Sequence, residues 1–221
     1  GIEVDAPVVN WDKMLSYKES MIKDNTKGIE YLFKKNKITL INGWASFIDQ
    51  NTISVDNKIF EATYFVIATG SEASSLKNIE FDEQVIVSST GALELKKIPE
   101  KMIIVGAGVI GLEMGSIYSR LGTDVTVVEF FDKVLNGMDH DISKNFKSIL
   151  QKQGFKFHLN SSVSMITKEK KGVKVTFKQV DSHDQNELSA DVVLVATGRK
   201  PFTKNLKLEN IGVKLNPKGQ I

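Results

Sequence analysis

The 221-residue sequence contains no cysteine and no long apolar run. Without cysteine, these residues can form no disulfide, no thiolate nucleophile and no cysteine-ligated metal site. No apolar stretch approaches the ~20 residues that a membrane-spanning helix needs, so we expect no membrane partner. A marked charge of either sign is also lacking. The net charge is +2, which gives no reason to expect nucleic acid as a partner.

Histidine is scarce as well, with three in the chain. His140 stands beside a predicted helix cap, His158 in a predicted strand and His183 in a polar turn. The sequence places no acid or thiol beside any of them, and a catalytic histidine needs such a partner. We therefore predict structural or exposed histidines, with no catalytic residue and no metal site in this chain.

The composition, 41% apolar and 25% charged, is typical of a globular protein. Its central stretch is 101–129, where a predicted strand at 102–105 precedes glycines spaced G-x-G-x-x-G. Gly106 would make the tight turn, Gly108 would let a pyrophosphate approach the backbone, and Gly111 would let a helix pack against the strand. This arrangement predicts a dinucleotide-binding turn.

The residues that follow give this turn its expected context. A helix is predicted over 109–121 and is ended by Gly122. The strand 124–128 leads to Glu129, 18 residues after Gly111, where an acid hydrogen-bonds the adenosine ribose. A 2′-phosphate would meet this carboxylate as a like charge, so Glu129 favours NAD over NADP.

The remaining chain reads as short strands with two further helices. Predicted helices cover 10–33, capped by Asn10, and a segment capped by Asp141 and closed by Gly154. Predicted strands cover 38–41, 44–48, 52–55, 58–62, 64–69, 155–159, 163–168, 173–180, 188–190 and 191–197.

One internal repeat connects the two halves of the chain. The tripeptide Ala-Thr-Gly occurs at 68–70 and again at 196–198, each time at the end of an apolar strand that follows a meander of short strands. The second copy lies downstream of a glycine turn, whereas an equivalent turn for the first copy would precede residue 1. We therefore expect a segment of a longer polypeptide with two nucleotide-binding folds.

Several stretches resemble the flavoprotein disulfide reductases of the pyridine nucleotide-disulfide oxidoreductase family, in particular the members that oxidise dihydrolipoyl groups. They are 42–45 (NGWA), 67–72 (IATGSE), 106–113 (GAGVIGLE), 151–157 (QKQGFKF) and 198–206 (GRKPFTKNL). The resemblance covers nearly the whole chain. It implies an α/β protein: part of an FAD-binding nucleotide fold over 1–90, a Rossmann-like NAD domain with a parallel sheet and an antiparallel meander over 91–203, and a return to the FAD domain over 204–221.

The resemblance also implies a reaction. Dihydrolipoyl groups on the acyltransferase subunits of 2-oxo acid dehydrogenase complexes would be oxidised by a homodimeric enzyme. Electrons would pass from the dithiol to a redox disulfide, then to FAD, and then as hydride to NAD+. The enzyme would lie in the mitochondrial matrix of a eukaryote or the cytoplasm of a bacterium.

Individual residues follow from the same resemblance. FAD would contact Ala45, Thr69, Gly70 and Ser71. The NAD site would contain Gly106, Ala107, Gly108, Val109, Ile110, Gly111, Leu112, Glu113, Glu129, Val163 and Gly198. Val109 would lie where the nicotinamide stacks on the flavin, and Glu113 would face a lysine near the flavin. The family's cysteine pair and His–Glu base would lie outside these residues.

Two alternative interpretations of the function remain open at this point. One is a sister disulfide reductase, such as mercuric or glutathione reductase, against which Glu129 and the run Phe202-Thr203-Lys204-Asn205 argue. The other is a non-catalytic fragment that binds NAD or a partner protein.

Overall fold

The computed structural model describes residues 7–182 and 184–221, which divide into two compact units. Of the described residues, the first unit comprises 7–11, 73–182 and 184–198, and the second comprises 12–72 and 199–221. His183, predicted to lie in a polar turn, is outside the described residues. The predicted FAD and NAD domain boundaries stay a prediction, because a division by packing does not say which cofactor a unit binds.

The described residues form helices and strands with the following bounds. The helices are α1 (Trp11–Lys35), α2 (Ser89–Ala92), α3 (Val109–Arg120), α4 (His140–Lys152) and a 3₁₀ turn (Leu208–Ile211). The strands are β1 (Ala45–Asp49), β2 (Thr52–Val55), β3 (Lys58–Glu61), β4 (Ser71–Ala73), β5 (Ile86–Val87), β6 (Lys101–Val105), β7 (Asp124–Val128), β8 (Lys156–His158), β9 (Ser161–Lys168), β10 (Val173–Gln179), β11 (Gln185–Ala190), β12 (Val192–Val195) and β13 (Arg199–Pro201).

A five-stranded parallel sheet in the order β5-β12-β6-β7-β8 forms the centre of the first unit. All four residues of β12 and four of the five in β6 are buried. Such continuous apolar strands are expected where both faces of a parallel sheet are covered. Residues of α2, α3 and α4 pack on one face, and the antiparallel meander β9–β10–β11 packs on the other. The predicted α/β class, with a parallel sheet and a meander, is confirmed.

The glycines predicted to end α3 and α4 are confirmed, whereas the residue predicted to cap the start of α4 is not. Gly122 and Gly154 follow α3 and α4 with φ of +97° and +99°, as predicted for residues that stop a helix. The prediction that Asp141 caps α4 is wrong. The Asp139 carboxylate instead accepts hydrogen bonds from the backbone N–H groups of Asp141 and Ile142, at 2.9 and 3.3 Å, so Asp141 lies in the first turn.

The second unit contains the meander β1–β2–β3, the pair β4–β13 and a small core around Phe47, Leu206 and Leu208. The strands predicted over 38–41 and 64–69 are absent from the described structure. Val66 has 91% of its surface exposed, although its run of apolar residues is typical of a buried strand. A strand requires a neighbouring ladder of hydrogen bonds, and 64–69 has no such partner among the described residues.

A partly buried carboxylate ties the meander to the sheet in the first unit. Asp82 accepts hydrogen bonds from the N–H groups of Gln84, Val85 and Ile86, at 2.8, 2.9 and 2.9 Å. Lys168 Nζ lies 2.8 Å from the same carboxylate. Burial acts to raise the pKa of Asp82, but the lysine and the three backbone N–H groups outweigh it and lower the pKa to about 2.

We expect Asp82→Asn to lower the free energy of unfolding at pH 7 by about 1–3 kcal/mol, because the three N–H groups lose their charged acceptor and Lys168 loses its ion pair. The folded pKa is depressed, so the stabilisation is present above the unfolded pKa of ~4 and is lost as the pH falls toward 2. Urea unfolding from pH 7 to 2.5 measures this. The exposed Asp181→Asn is the control, and a difference that persisted unchanged at pH 2.5 would contradict the assignment.

Candidate dinucleotide-binding site

The glycine turn joins β6 to α3 at the carboxyl end of the central strand. Gly106 has φ of +105°, and a Cβ there would lie 2.6 Å from the carbonyl oxygen of Ala196. A Cβ on Gly111 would collide with the carbonyl oxygen of Gly106 and lie 3.0 Å from Ile104 Cγ2. These two positions therefore exclude any side chain, and the helix starts directly against the strand.

Gly108 has a different role because the space beside it is open. It is the N-cap of α3 with extended φ of −76°, and a Cβ there would meet nothing within 4 Å. The next N–H groups open the helix and have no helical acceptor. Together with the positive end of the helix dipole, these groups can receive an anion that approaches the bare backbone at Gly108.

Glu129 lies immediately after β7, with 8% of its surface exposed. Its Oε2 accepts a hydrogen bond from the N–H of Ala107 in the glycine turn, at 2.5 Å. Its Oε1 accepts from the N–H of Phe131, at 2.9 Å. The carboxylate is thus held between the turn and the loop that follows β7.

A cavity of about 450 Å³ opens beside the turn and this carboxylate. Its walls come from the ends of β6, β7 and β12, the start of β9 and two loops of the first unit. The lining residues are Leu76, Val105, Gly106, Ala107, Gly108, Val128, Glu129, Phe130, Phe131, Asn136, Ser161, Ser162, Val163, Ala196, Thr197 and Gly198. Its place at the carboxyl ends of parallel strands is where this type of sheet binds ligands.

Comparison with known families agrees with this geometry. The family described as pyridine nucleotide-disulphide oxidoreductase matches residues 5–221. The chain belongs to this family. Its members are enzymes that carry out oxidation and reduction.

Curated relatives narrow the similarity further. Mitochondrial dihydrolipoyl dehydrogenase of Homo sapiens is 46% identical over 228 residues, which cover 100% of this chain and 45% of that protein. Mitochondrial dihydrolipoyl dehydrogenase 1 of Arabidopsis thaliana is also 46% identical, over 226 residues with the same coverage. The chain spans less than half the length of these relatives. The resemblance to an internal part of the dihydrolipoyl-oxidising members is therefore confirmed.

Among solved structures, the HOCl-induced flavoprotein disulfide reductase RclA from Escherichia coli is similar in fold. It superposes with a TM-score of 0.81 and is 28% identical, over 96% of this chain and 48% of its own. Its Cu(II) complex gives a TM-score of 0.83 at 29% identity, over 96% and 48%. The structural neighbours are thus flavoprotein disulfide reductases, as the fold class predicts.

In this pyridine nucleotide-disulphide oxidoreductase, the cavity brings together six of the residues predicted for NAD. They are Gly106, Ala107, Gly108, Glu129, Val163 and Gly198. The other five, which follow along α3, do not line it. Gly111 and Leu112 are buried in the core, Ile110 is half-buried, and Val109 and Glu113 are exposed.

Sequence reasoning missed several side chains that line the cavity. Phe130 and Phe131 follow Glu129 directly, and their rings pack edge to face with centroids 5.4 Å apart. Their position beside the acid was a usable signal. Leu76 and Asn136 come from irregular loops with no periodic pattern, so the sequence contained no signal for them.

The residues predicted for FAD lie in the second unit and are only partly brought together. Ala45 and Thr69 line a cavity of about 750 Å³, whereas Gly70 and Ser71 are exposed beyond it. Thr69 Oγ1 donates to the carbonyl of Phe202 at 2.6 Å. Ser71 accepts from Arg199 Nε at 2.8 Å and, through its carbonyl, from Arg199 Nη2.

Two of the predicted histidine environments can be described. His140 is exposed as the first residue of α4. His158 ends β8 with its ring 4.9 Å from that of Phe177, and burial lowers its pKa. Within 7–182 and 184–221, no three acidic or histidine side chains are grouped as metal ligands, and no helix is long and apolar enough to cross a membrane.

The glycine turn predicts a contrast between two alanine substitutions. Gly111→Ala should lower the free energy of unfolding by about 1–3 kcal/mol, because the methyl group collides with backbone. Gly108→Ala should lower it by less than about 1 kcal/mol, because its methyl group enters open space and only a modest cap preference is lost. Urea denaturation of both variants measures the difference, and equal losses would contradict the assigned roles.

Proposed function

We propose that this chain supplies the NAD site and part of the FAD site of an enzyme that oxidises dihydrolipoyl groups with NAD+. The observation that carries the proposal is the glycine turn, which opens at Gly108 onto a cavity edged by the Glu129 carboxylate. The 46% identity to dihydrolipoyl dehydrogenases, against 28–29% to RclA, supports this reaction over that of a sister disulfide reductase.

The residues at the turn fit a dinucleotide. The bare backbone at Gly108 and the opening N–H groups of α3 would bind the pyrophosphate. Each Glu129 oxygen accepts one backbone hydrogen bond and retains a lone pair that can accept from a ribose hydroxyl. When bound, NAD+ supplies a hydride acceptor.

Apolar side chains line the cavity together with Glu129. Phe130 and Phe131, which are 55% and 46% exposed, are among them, as are Leu76 and Val163. An adenine attached to the ribose at Glu129 would cover these rings and remove apolar surface from water. The exposed aromatic pair thus suits the adenosine half of NAD.

In the second unit, Ala45, Thr69, Gly70 and Ser71 are proposed to contact FAD. Gly70 has φ of +71°, a left-handed conformation in which a residue with a side chain would be strained. The segment is held by Phe202, whose N–H donates to the Gly70 carbonyl at 3.0 Å, and by Arg199 on Ser71. Glu72 adds an ion pair with Lys200 at 3.2 Å.

The proposed reaction oxidises a dithiol to a disulfide, which releases two electrons and two protons. NAD+ takes both electrons and one proton as hydride, and the other proton goes to solvent. This chain has no cysteine, so the redox disulfide step belongs to residues that it does not contain. Val109, 53% exposed, and the exposed Glu113 are available on α3 for the predicted positions beside the flavin.

The biological setting follows from the same relatives. Both relatives named above are mitochondrial, which supports the mitochondrial matrix as the location. The proposed partners are the lipoyl-bearing acyltransferase subunits of 2-oxo acid dehydrogenase complexes and a second copy of the full-length protein. An NAD-binding fragment without catalysis is the second candidate, favoured by the absence of cysteine from these residues.

Glu129→Arg tests the choice of nicotinamide cofactor. We expect about a 10- to 100-fold loss of NADH affinity, because charge-assisted hydrogen bonds to the ribose disappear, and a gain in NADPH affinity. Fluorescence titration with both nucleotides measures the ratio. Asp132→Arg, exposed and outside the cavity lining, is the control. An unchanged NADH:NADPH preference would reject the assignment.

A direct assay separates the two candidate functions. We expect the 221-residue protein to bind NADH but not to oxidise dihydrolipoamide, because the thiol chemistry requires cysteines. The longer protein encoded by the same reading frame should oxidise dihydrolipoamide with NAD+ and carry flavin absorbance. A longer protein that binds NADH without flavin and without turnover would support the fragment reading instead.

A further inference from the structure

Both backbone polar groups of Ala107 are hydrogen-bonded to the segment that follows β7. Its N–H donates to Glu129 Oε2 at 2.5 Å, and its carbonyl accepts from the N–H of Leu135 at 2.9 Å. The methyl group of Ala107 is 1% exposed and belongs to the core that also contains Leu135. The glycine turn is thus attached to the loop 130–138 through one buried residue.

Of these two hydrogen bonds, the one to the Glu129 carboxylate depends on a side chain, so a substitution can remove it. A buried N–H without an acceptor costs about 1–3 kcal/mol, and water has little access to a residue as enclosed as Ala107. The other oxygen of Glu129 accepts from Phe131, so one carboxylate satisfies two donors on two segments. Two N–H donors facing one carboxylate form an arrangement that a neutral amide cannot reproduce.

We propose that Glu129 is a positioning residue, whose carboxylate sets the glycine turn in the nucleotide-free protein and so prepares the site for a diphosphate. This role comes in addition to ribose binding, and it rests on the proposed function of the cavity as a nucleotide site. Because the Ala107 N–H already donates to Glu129, the diphosphate would be bound by the backbone at Gly108 and by the first N–H groups of α3.

The proposal is tested with ADP and 2′,3′-dideoxy-ADP, which carry the same diphosphate but differ in the ribose hydroxyls. In Glu129→Gln, the amide has one acceptor oxygen for two N–H donors, so the turn loses an anchor. We expect the variant to bind dideoxy-ADP about tenfold more weakly than the unmodified protein, and ADP more weakly still. If Glu129 only binds ribose, dideoxy-ADP will bind both proteins equally, which would overturn the proposal.

Two further variants separate this effect from a general loss of charge or fold. Asp132→Asn removes one negative charge from an exposed neighbour outside the cavity lining and should leave both affinities unchanged. Glu129→Asp keeps the carboxylate but shortens its reach, so it should recover part of the dideoxy-ADP affinity lost in Glu129→Gln. Titrations are made below the thermal unfolding midpoint of every variant.

A second measurement needs no nucleotide. In the nucleotide-free protein, the amide proton of Ala107 should be protected from exchange and shifted downfield by its charged acceptor. In Glu129→Gln the exchange of this proton should become faster and its downfield shift should decrease, whereas both signatures should persist in Asp132→Asn. An unprotected Ala107 amide in the unmodified protein would overturn the positioning role. Failure of the unmodified protein to bind ADP, with a protected Ala107, would instead reject the nucleotide site and leave the turn anchor intact.

Discussion

The architecture of the first unit depends on the close approach of α3 to β6. A methyl group on Gly111 would collide with the Gly106 carbonyl oxygen, and one on Gly115 would lie 2.6 Å from Ile104 Cδ1. Because no side chain stands at either position, the helix packs directly on the strand and buries Leu112 and Tyr118 in the helical face of the core. Its N-terminus is thereby delivered to the end of the sheet, where the cavity opens.

The same constraint organises the opposite side of the turn. Gly106 donates its N–H to the Val128 carbonyl at 2.9 Å, and a Cβ there would meet Ala196, the residue directly after β12. Three strands therefore converge on one residue that lacks a side chain. Glu129 follows β7 directly and Thr197 lies two residues after the end of β12, so the positions of both depend on the packing around Gly106.

Short sequence patterns predicted the strands, turns and helix ends that depend on only a few neighbouring residues. The glycine spacing, the strands β6, β7 and β12, and the helix-stopping Gly122 and Gly154 were all predictable from short windows of sequence. Asp139 and Asp141 compete for one cap within such a window, and only the backbone geometry decides between them. The segment 64–69 has strand composition without a strand, because composition does not supply a hydrogen-bonding neighbour. Leu76 and Asn136 reach the cavity through tertiary packing, which single-sequence reasoning does not contain.

Ala107 occupies the first unspecified position of the G-x-G-x-x-G motif, yet its surroundings restrict both its side chain and its backbone. Its methyl group is enclosed in the core, and both polar groups of its peptide are bonded to other segments. A larger side chain at this position should therefore disturb the core and the turn, although this side chain serves packing and not the ligand. A motif written only as glycines and unspecified positions thus omits a position that the packing of this fold also restricts.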